Sequence, residues 1–396
     1  MRFGLDRIRR LVSVLGMPQH RFVSLHVVGT NGKSSVTEMI AALLEAHGVS
    51  SGAYLSPHDE RWSQRIQLRG AELAPTAFAA AVERVAQAIE VVDRSLEPGD
   101  SVTQFEADTA AAFVAIAAAG VEAGVIEAGL GGRLDATNVL PSRVTVLTSI
   151  GLEHTEWLGE TETEIAAEKL AVLRDHTRLV VGPVPGAVEE LARMKATERH
   201  SEIVTVRDLA PQVELASPAP YLRRNFAVAL AAAEGVLGTL DVEAVAGVAA
   251  GLDLHGRMET IAGDPPLLLD AAHNPAGAEA LAEALAAVAA GQPLVGCLAV
   301  LADKDAAGIL AALAPRLDGL VATEVPAERL ASAGRPGARA LEADALAGAA
   351  REAGVGGVEA VADPVAAVAR ARSRATELGG IALVTGSHYL LRYAAE

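Results

Sequence analysis

The chain has a single cysteine, Cys297, among 396 residues, and aromatic residues make up only 3% of it. One thiol cannot form a disulfide within the chain, so cross-links do not explain its stability. Cys297 stands in the apolar run 294–301, where we expect an inert, buried thiol. The core must come from aliphatic packing, because 51% of the residues are hydrophobic.

Positive charge is also scarce. Lys and Arg number 33 against 50 Asp and Glu, which gives a formal net charge of −17. Such a surface repels nucleic acid and anionic membranes, so we expect neither as a partner. Anionic small molecules then have to be held by a few local cations and a metal ion.

One uncharged run, 284–302, has the length of a membrane span. Gly291-Gln292-Pro293 interrupts it, which favours a helix end, a turn and a buried strand. Residues 1–20 alternate charged and apolar side chains as an amphipathic helix does, unlike a signal peptide. We therefore expect a cytoplasmic protein, and a monomer because no exposed apolar stripe is evident.

The length of the chain favours two domains, which we predict over residues 1–255 and 256–396. Strand-like runs alternate with helical patterns in the first part, and the alternation restarts near 252–257. This order predicts an α/β fold with a mostly parallel, doubly wound sheet in an N-terminal P-loop-type ATPase domain. A smaller, Rossmann-like α/β domain is expected to follow it at the C-terminal end.

The segment Gly29-Thr30-Asn31-Gly32-Lys33 follows an expected strand, 22–28, and precedes a helix expected from Ser34 to His47. The N–H groups of such a turn, the positive end of the helix and one lysine together bind nucleotide phosphates. Lys33 would contact the β- and γ-phosphates, with Ser34 available to magnesium. The glycines enclose only two residues, whereas the common phosphate loop has four between them, so an ordinary turn stays open.

Ser56, Glu127 and His154 each follow an expected strand of the first domain. Ligands of parallel sheets gather at the carboxyl ends of the strands, so these side chains should share one edge with the glycine turn. A carboxylate at the end of an apolar strand needs a cation, which favours a metal role for Glu127. A turn residue and a hydrogen-bonded loop histidine are the alternatives for Ser56 and His154.

Other polar residues have competing structural explanations. Glu106 fits a helix-capping box with Thr103. Lys169 lies among apolar neighbours, where an inward lysine is costly unless its charge is removed or paired, although a surface lysine is the default. Asp270, His273 and Asn274 crowd one turn, which suits a second substrate and also suits helix capping.

Taken together, the motifs resemble the Mur ligase superfamily, and most closely its folylpolyglutamate synthase/dihydrofolate synthase family. The most specific matching piece is the glycine-rich segment Glu127 to Asn138. The other matching pieces follow in family order: 29–33, 56–58, 103–106, 151–154, 165–169, Arg257, 270–275, 302–305 and 385–387.

The resemblance implies ATP-dependent amide ligation, in which ATP phosphorylates a substrate carboxylate and the amino group of L-glutamate displaces the phosphate. The acceptor would be a folate or dihydropteroate, and Mg²⁺ would assist. The resemblance assigns catalytic roles to Lys33, Glu127, His154 and Lys169. It assigns ATP binding to Gly29, Thr30, Asn31, Gly32, Lys33, Ser34, Ser35, Asn225, Arg257 and Asp270.

The metal ligands implied by the resemblance are Ser56, Glu127, His154 and Lys169, the last as a carbamylated lysine. The implied substrate contacts are Thr103, Gln104, Phe105, Glu106, Leu134, Asp135, Ala136, His273 and Ser387.

The sequence departs from the family pattern at a few positions. Ser34 replaces a glycine, Asp59 stands where an apolar residue is usual, and Gln64 replaces a glutamate before Arg65. Because Asp59 and Gln64 lie near the acceptor segment, another amino-acid ligase of the superfamily stays open. Cell-wall members carry an extra N-terminal domain for a UDP sugar, and roughly twenty residues before the first strand are too few for one. A P-loop kinase is the alternative from another class.

Overall fold

A computed structural model describes residues 4–58, 60–210, 212–289, 291–335 and 337–394. The chain forms two compact units. The first comprises Met1–Glu214 and Arg224–Gly251, and the second comprises Leu215–Arg223 and Leu252–Glu396. Asp59, one of the departures from the family pattern, lies outside the described residues.

The first unit contains one eight-stranded sheet. Its strands are β1 Val23–Val28, β2 Ser51–Tyr54, β3 Ile66–Leu68, β4 Ala71–Glu72, β5 Ala123–Glu127, β6 Val144–Leu147, β7 Arg178–Val181 and β8 Glu202–Thr205. Their order is β4-β3-β2-β5-β1-β6-β7-β8. The six strands β2, β5, β1, β6, β7 and β8, which are neighbours in this order, pair in parallel. At the edge of the sheet, β3 pairs antiparallel with β2 and with β4.

Helices cover both faces of this sheet. They are α1 Asp6–Val14, α2 Lys33–Ala46, α3 Pro75–Asp93, α4 Gln104–Ala118, α5 Thr155–Leu158, α6 Glu162–Leu170, α7 Gly186–Glu198, α8 Pro220–Leu237 and α9 Val242–Ala250. On one face α1, α3 and α4 pack with Tyr54 and Ile126, and α6 and α7 pack with Leu147 and Leu179. Helix α2 packs against β1, β2 and β5 from the other face.

The second unit contains a six-stranded sheet in the order β13-β12-β11-β14-β10-β9. Its strands are β9 Arg257–Ile261, β10 Leu267–Asp270, β11 Leu294–Leu298, β12 Gly319–Ala322, β13 Val358–Ala360 and β14 Ile381–Thr385. All neighbours pair in parallel except β9, which runs antiparallel to β10. The helices are α10 Pro275–Val288, α11 Ala306–Leu313, α12 Ala327–Ser332, α13 Ala343–Glu352 and α14 Pro364–Leu378.

Short 3₁₀ segments complete the described structure. They are Pro18–His20, Trp62–Arg65, Ala136–Val139, Ala314–Arg316 and His388–Ala394. The expected α/β fold with mostly parallel sheets is confirmed. The Gly, Pro and Arg content of the segment 329–339 favours a surface loop. That prediction is wrong at the start of the segment, because α12 occupies 327–332 and buries Leu330.

Two further expectations concern apolar segments. Cys297 lies inside β11, fully buried, and burial raises the pKa of its thiol to about 12. Within the described residues, no helix combines the length and the apolarity that crossing a bilayer requires. The uncharged run 284–302 is instead divided between α10 and β11, as the Gly-Gln-Pro interruption predicts.

Candidate active site

The turn between β1 and α2 can be built only with glycine at two positions. Gly29 has φ +153° and Gly32 has φ +80°, both in the region that other residues avoid. A Cβ atom on Gly29 would collide with the hydroxyl of Thr148, and one on Gly32 would lie 2.7 Å from Asn225 Oδ1. Asn225, to which the family resemblance assigns ATP binding, therefore lies directly against this turn.

The segment that follows β6 holds the turn in place. The N–H of Thr30 donates to Ser149 O at 2.9 Å, and the N–H of Asn31 donates to Ser149 Oγ at 3.0 Å. In return, Thr148 Oγ1 donates to Asn31 O at 2.7 Å. The backbone is thus fixed before any ligand arrives, which is what a phosphate-binding turn requires.

The helix after the turn begins at Lys33, one residue earlier than expected. Lys33 Nζ donates to Thr30 O at 2.9 Å, so the ammonium group lies back over the turn. Ser35 is buried, and its hydroxyl has no hydrogen-bond partner within the described part of the chain. The first turn of α2 therefore presents backbone N–H groups, a lysine and a hydroxyl at one place.

Glu127 ends β5, and its side chain is buried beside this helix. Ser34 Oγ donates to Glu127 Oε1 at 3.2 Å, and the N–H of Ser56 donates to Glu127 Oε2 at 3.0 Å. Since β2, β5 and β1 are neighbours in the sheet, their carboxyl ends bring these three residues together. We name Ser34, Ser56 and Glu127 the oxygen cluster.

The oxygen cluster fits a magnesium ion that also binds substrate phosphates. Hydroxyl and carboxylate oxygens are the ligands that Mg²⁺ prefers, and it commonly uses one or two carboxylates plus phosphates and water. Within the described residues, no group of three or more His, Cys, Asp or Glu side chains is placed to hold a metal. One carboxylate and two serines form a donor set that suits an ion also bound by nucleotide phosphates.

Lys169 of α6 is buried against the same turn, so the inward orientation is correct and the surface alternative is wrong. Its Nζ donates to Gly29 O at 2.8 Å. Burial, reinforced by the positive charge of Lys33, lowers the pKa of Lys169 from 10.5 to about 7. Near neutral pH, a large fraction of this amine is therefore uncharged.

His154 follows β6, which is the neighbour of β1, so it lies at the same edge of the sheet. Its backbone adopts a left-handed conformation with φ +49°. The imidazole Nε2 lies 3.4 Å from Glu153 Oε1, and the charge of Glu153 also acts on Lys169. Through Glu153, the His154 ring is therefore associated with Lys169. Glu127 instead accepts hydrogen bonds from the Ser34 hydroxyl and the Ser56 N–H.

The start of α4 holds the residues expected to contact the acceptor. Thr103 and Glu106 form the predicted capping box, and Arg7 Nε donates to Glu106 Oε2 at 3.0 Å. Glu106 is buried, and its carboxylate is bound by the helix cap and by Arg7. Gln104 is exposed. The Phe105 ring packs so closely on Gly129 that a Cβ there would collide with it.

The glycine-rich segment after β5 carries the other expected acceptor contacts. Leu134 is 43% exposed, whereas Ala136 is buried in the core. Asp135 is also buried, and it accepts N–H donors from Leu130 at 2.8 Å and from Thr137 at 2.9 Å. Burial raises the pKa of the Asp135 carboxyl, and these hydrogen bonds oppose that rise.

Sequence reasoning missed a buried network beside Ser56. Arg65 donates from Nε to His58 Nδ1 at 2.9 Å and from Nη1 to Asp108 Oδ2 at 2.8 Å. The Tyr54 hydroxyl donates to the same Asp108 oxygen at 2.8 Å. His58 and Arg65 belong to quoted motifs, but nothing in the sequence marked Asp108, which lies within a helix.

Gln64 has a structural role in the same region. Its side-chain oxygen accepts the N–H of Glu60 at 2.7 Å and the N–H of Arg61 at 3.0 Å, which closes the 3₁₀ segment Trp62–Arg65. A glutamate would accept the same two bonds. The substitution of the usual glutamate therefore preserves this cap.

In the second unit, Asp270 is the best-organised candidate. It is buried and accepts the Tyr221 hydroxyl at 2.6 Å and the N–H groups of Ala272 at 2.9 Å and Met258 at 3.1 Å. Burial raises the pKa of Asp270, and the nearby positive charge of Arg257 opposes that rise. Arg257 lies opposite Asp270 across β9 and β10. Sequence reasoning missed Tyr221.

His273 and Ser387 follow β10 and β14, which are parallel neighbours, so both lie at one edge of the second sheet. His273 is half-buried and its Nδ1 lies 3.0 Å from Ala271 O. The Asn274 side chain caps α10 by accepting the N–H of Gly277 at 2.8 Å, as the capping alternative predicted. Ser387 is buried and accepts the N–H of Tyr389 at 3.3 Å.

Two family models match the chain and define its class. Residues 27–211 match the Mur ligase middle domain, and residues 256–388 match the Mur ligase glutamate ligase domain. Among curated relatives, the dihydrofolate synthase/folylpolyglutamate synthase of Mycobacterium tuberculosis is 34% identical over 88% of this chain and 78% of its own length.

Solved structures agree. Mycobacterium tuberculosis folylpolyglutamate synthase complexed with ADP and AMPPCP has a TM-score of 0.91 and 32% identity, over 99% of this chain and 94% of that one. The bifunctional folylpolyglutamate synthase/dihydrofolate synthase of Yersinia pestis complexed with AMPPNP and Mn ion has a TM-score of 0.83 and 28% identity, over 99% and 92%. The chain therefore belongs to the dihydrofolate synthase/folylpolyglutamate synthase family of Mur ligases.

Proposed function

We propose that this chain is an ATP-dependent acid–amino-acid ligase that adds L-glutamate to a folate-type carboxylate, on dihydropteroate, a reduced folate or both. The oxygen cluster is the observation that carries the proposal. Its carboxylate meets two serines at the sheet edge where the glycine turn and Lys33 also lie. Phosphoryl transfer needs such positioned oxygen ligands, a lysine and a helix N-terminus to offset phosphate charge.

We assign nucleotide binding to a P-loop-type ATPase domain over residues 1–255 and glutamate ligation to residues 256–396. In the first, the turn 29–32 and the hydroxyls of Ser34 and Ser35 would bind phosphate oxygens, with Lys33 swinging from Thr30 O toward the γ-phosphate. In the second, Arg257 and Asp270 are the candidates for nucleotide contacts. His273 and Ser387 are the candidates for glutamate.

The chemistry follows from the poor reactivity of a carboxylate. An acceptor carboxylate oxygen attacks the γ-phosphorus of ATP, ADP leaves, and an acyl phosphate forms. The amino group of glutamate attacks the carbonyl carbon, the amide bond forms, and phosphate leaves as the amine loses a proton. The oxygen cluster would hold a magnesium ion, whose positive charge would offset the charge of the transferring phosphoryl group.

Lys169 has an additional role in this proposal. Because its pKa is lowered to about 7, about half of the amine is neutral near pH 7 and able to add to CO₂, which forms an N–C bond and releases a proton. The carbamate replaces a costly buried cation by a carboxylate-like group beside Lys33. A negative carbamate on Lys169 beside the positive Lys33 is better tolerated in a buried site than two neighbouring positive lysines.

ADP release tests the reaction. We expect release only when ATP, Mg²⁺, L-glutamate and a folate-type acceptor are all present, with an acceptor panel of dihydropteroate, tetrahydrofolate and a UDP-muramyl compound. Release with the UDP-muramyl compound alone would assign another acceptor. ADP release without glutamate would favour a kinase. No ADP release with any acceptor of the panel would refute the folate proposal.

Lys33→Ala tests the nucleotide assignment. We expect it to reduce ADP release at least a hundredfold while the unfolding midpoint stays within a few degrees, because Lys33 donates only to a backbone carbonyl of its own turn. Lys195→Ala is the matched control, since Lys195 lies on α7 in an exposed ion pair with Glu198. Near-normal turnover by Lys33→Ala would refute the assignment.

A further inference from the structure

His26 lies within β1, between Leu25 and Val27 in the sequence, and its side chain is fully buried. Its Nε2 is 2.8 Å from Thr137 Oγ1. Thr137 Oγ1 in turn is 2.5 Å from Asp135 Oδ1. A hydrogen-bonded series therefore runs from the centre of the sheet to the glycine-rich segment after β5.

The hydrogens available on these three side chains determine which atom donates and which accepts in each of the two hydrogen bonds. Asp135 accepts the N–H groups of Leu130 and Thr137, which suits an ionised carboxylate that can only accept. The single hydroxyl hydrogen of Thr137 must then point to Asp135. Thr137 Oγ1 is left as an acceptor, so the hydrogen between it and His26 belongs to Nε2.

The other ring nitrogen agrees with this tautomer. His26 Nδ1 is buried, and the described residues offer it no hydrogen-bond partner. A bare nitrogen lone pair tolerates that environment better than an N–H group would. Burial, with the positive charge of Arg174, also lowers the pKa of His26 to about 3, which keeps the ring neutral.

The far end of the series controls a backbone segment. Asp135 Oδ2 accepts the N–H of Leu130 at 2.8 Å, which closes the loop between them. Gly129 is packed under the ring of Phe105, and Leu134 is 43% exposed beside Asp135. A change in Asp135 therefore shifts the surface that Leu134 and Phe105 present.

We propose that His26 is a positioning residue for the acceptor: through Thr137 and Asp135 it fixes the segment 128–135. This inference rests on the proposed function and on the acceptor contacts at Phe105 and Leu134 that the family resemblance implies. His26 itself touches no substrate. Thr148 and Ser149 hold the turn 29–32 through hydrogen bonds of their own, so we expect the main effect of His26 to be on the acceptor.

Two amide variants separate this role from simple packing. The side-chain nitrogen of His26→Gln reaches the position of Nε2, whereas that of His26→Asn reaches only the position of Nδ1. We expect His26→Asn to raise the KM for the acceptor about tenfold, the effect of one lost buried hydrogen bond, with the KM for ATP unchanged. His26→Gln should retain the wild-type value within about twofold, and Thr137→Val should match His26→Asn.

Equal acceptor KM values for the Gln and Asn variants, or a parallel rise in the KM for ATP, would reduce His26 to a structural role. A measurement independent of ligase activity covers variants that fail to fold. In full-length protein with ¹⁵N-labelled histidine, we expect the signal lost in His26→Gln to report a neutral Nε2–H tautomer that is unchanged from pH 6 to 8. An Nδ1–H tautomer or a charged ring would overturn the inference even if ligation is observed.

Discussion

The buried amine of Lys169 should make stability depend on pH in a way that a single substitution removes. In the folded chain its pKa is about 7, while an exposed lysine has 10.5. Between about pH 7 and pH 10.5, the amine of Lys169 is therefore protonated in the unfolded chain and mostly deprotonated in the folded chain. The free energy of unfolding must therefore rise with pH across this window, and the same free energy is lost as the pH falls back toward 7.

The magnitude follows from the size of the shift. Each pKa unit corresponds to about 1.4 kcal/mol, so the full difference of three to four units is on the order of 5 kcal/mol. Between pH 7.5 and 9.5 the wild-type chain should gain about 2.5 kcal/mol from this residue alone. Lys169→Met keeps a long apolar side chain without the titrating amine, so it should lack that gain.

Urea unfolding followed by tryptophan fluorescence measures this difference, with both proteins in buffers free of CO₂ so that no carbamate forms. The free energy of unfolding of wild type relative to Lys169→Met should increase by about 1.4 kcal/mol per pH unit. Lys195→Met is the matched control, because Lys195 lies in an exposed ion pair and its substitution should shift the curve without changing its slope. Parallel curves for wild type and Lys169→Met would refute the burial argument.

Three other predictions follow. With ¹³C-bicarbonate, wild type should show a carbamate signal that Lys169→Ala lacks, and short carboxylates should partly restore its activity; full activity without them would exclude the carbamate. Gly29→Ala should weaken ATP binding at least tenfold and cost about 2 kcal/mol of stability, because its Cβ collides with a hydroxyl at positive φ. Gly186→Ala, with open space around the new Cβ, should be neutral. Arg65→Met leaves Asp108 buried and unpaired, so urea unfolding should show a loss of about 3–5 kcal/mol that Asp108→Asn partly reverses; an unchanged midpoint would contradict this.

Local patterns determined most of the elements. The sequence pattern predicts a strand over 267–270 and a helix over 306–313, and β10 and α11 have these bounds. The capping box of Thr103 and Glu106 also forms as expected. Where bounds differ, a distant contact explains the difference. The apolar run 144–150 predicts a strand of that length. Strand β6 ends at Leu147, because Thr148 turns to donate to Asn31 O and the following residues contact the glycine turn.

The antiparallel margin β3–β4 and several elements after residue 178 had no distinct sequence signal. Their strands are only two to five residues long, and short apolar runs do not separate strand from helix by periodicity. The helical pattern of the sequence extends from Thr161 to Leu173, but α6 ends at Leu170. The chain leaves the helix there, and Arg174 then donates to Leu140 O at 2.9 Å.

The sequence by itself placed Lys33, Ser56 and Glu127 after strands, and parallel pairing then requires those strand ends to share an edge. It did not predict which polar groups would meet. Lys169 reaches Gly29 across 140 positions of the chain, and His26 reaches Thr137 across 111. Periodicity and capping act over a few residues, whereas such contacts depend on strand order and on which face each side chain occupies, so only the tertiary structure decided them.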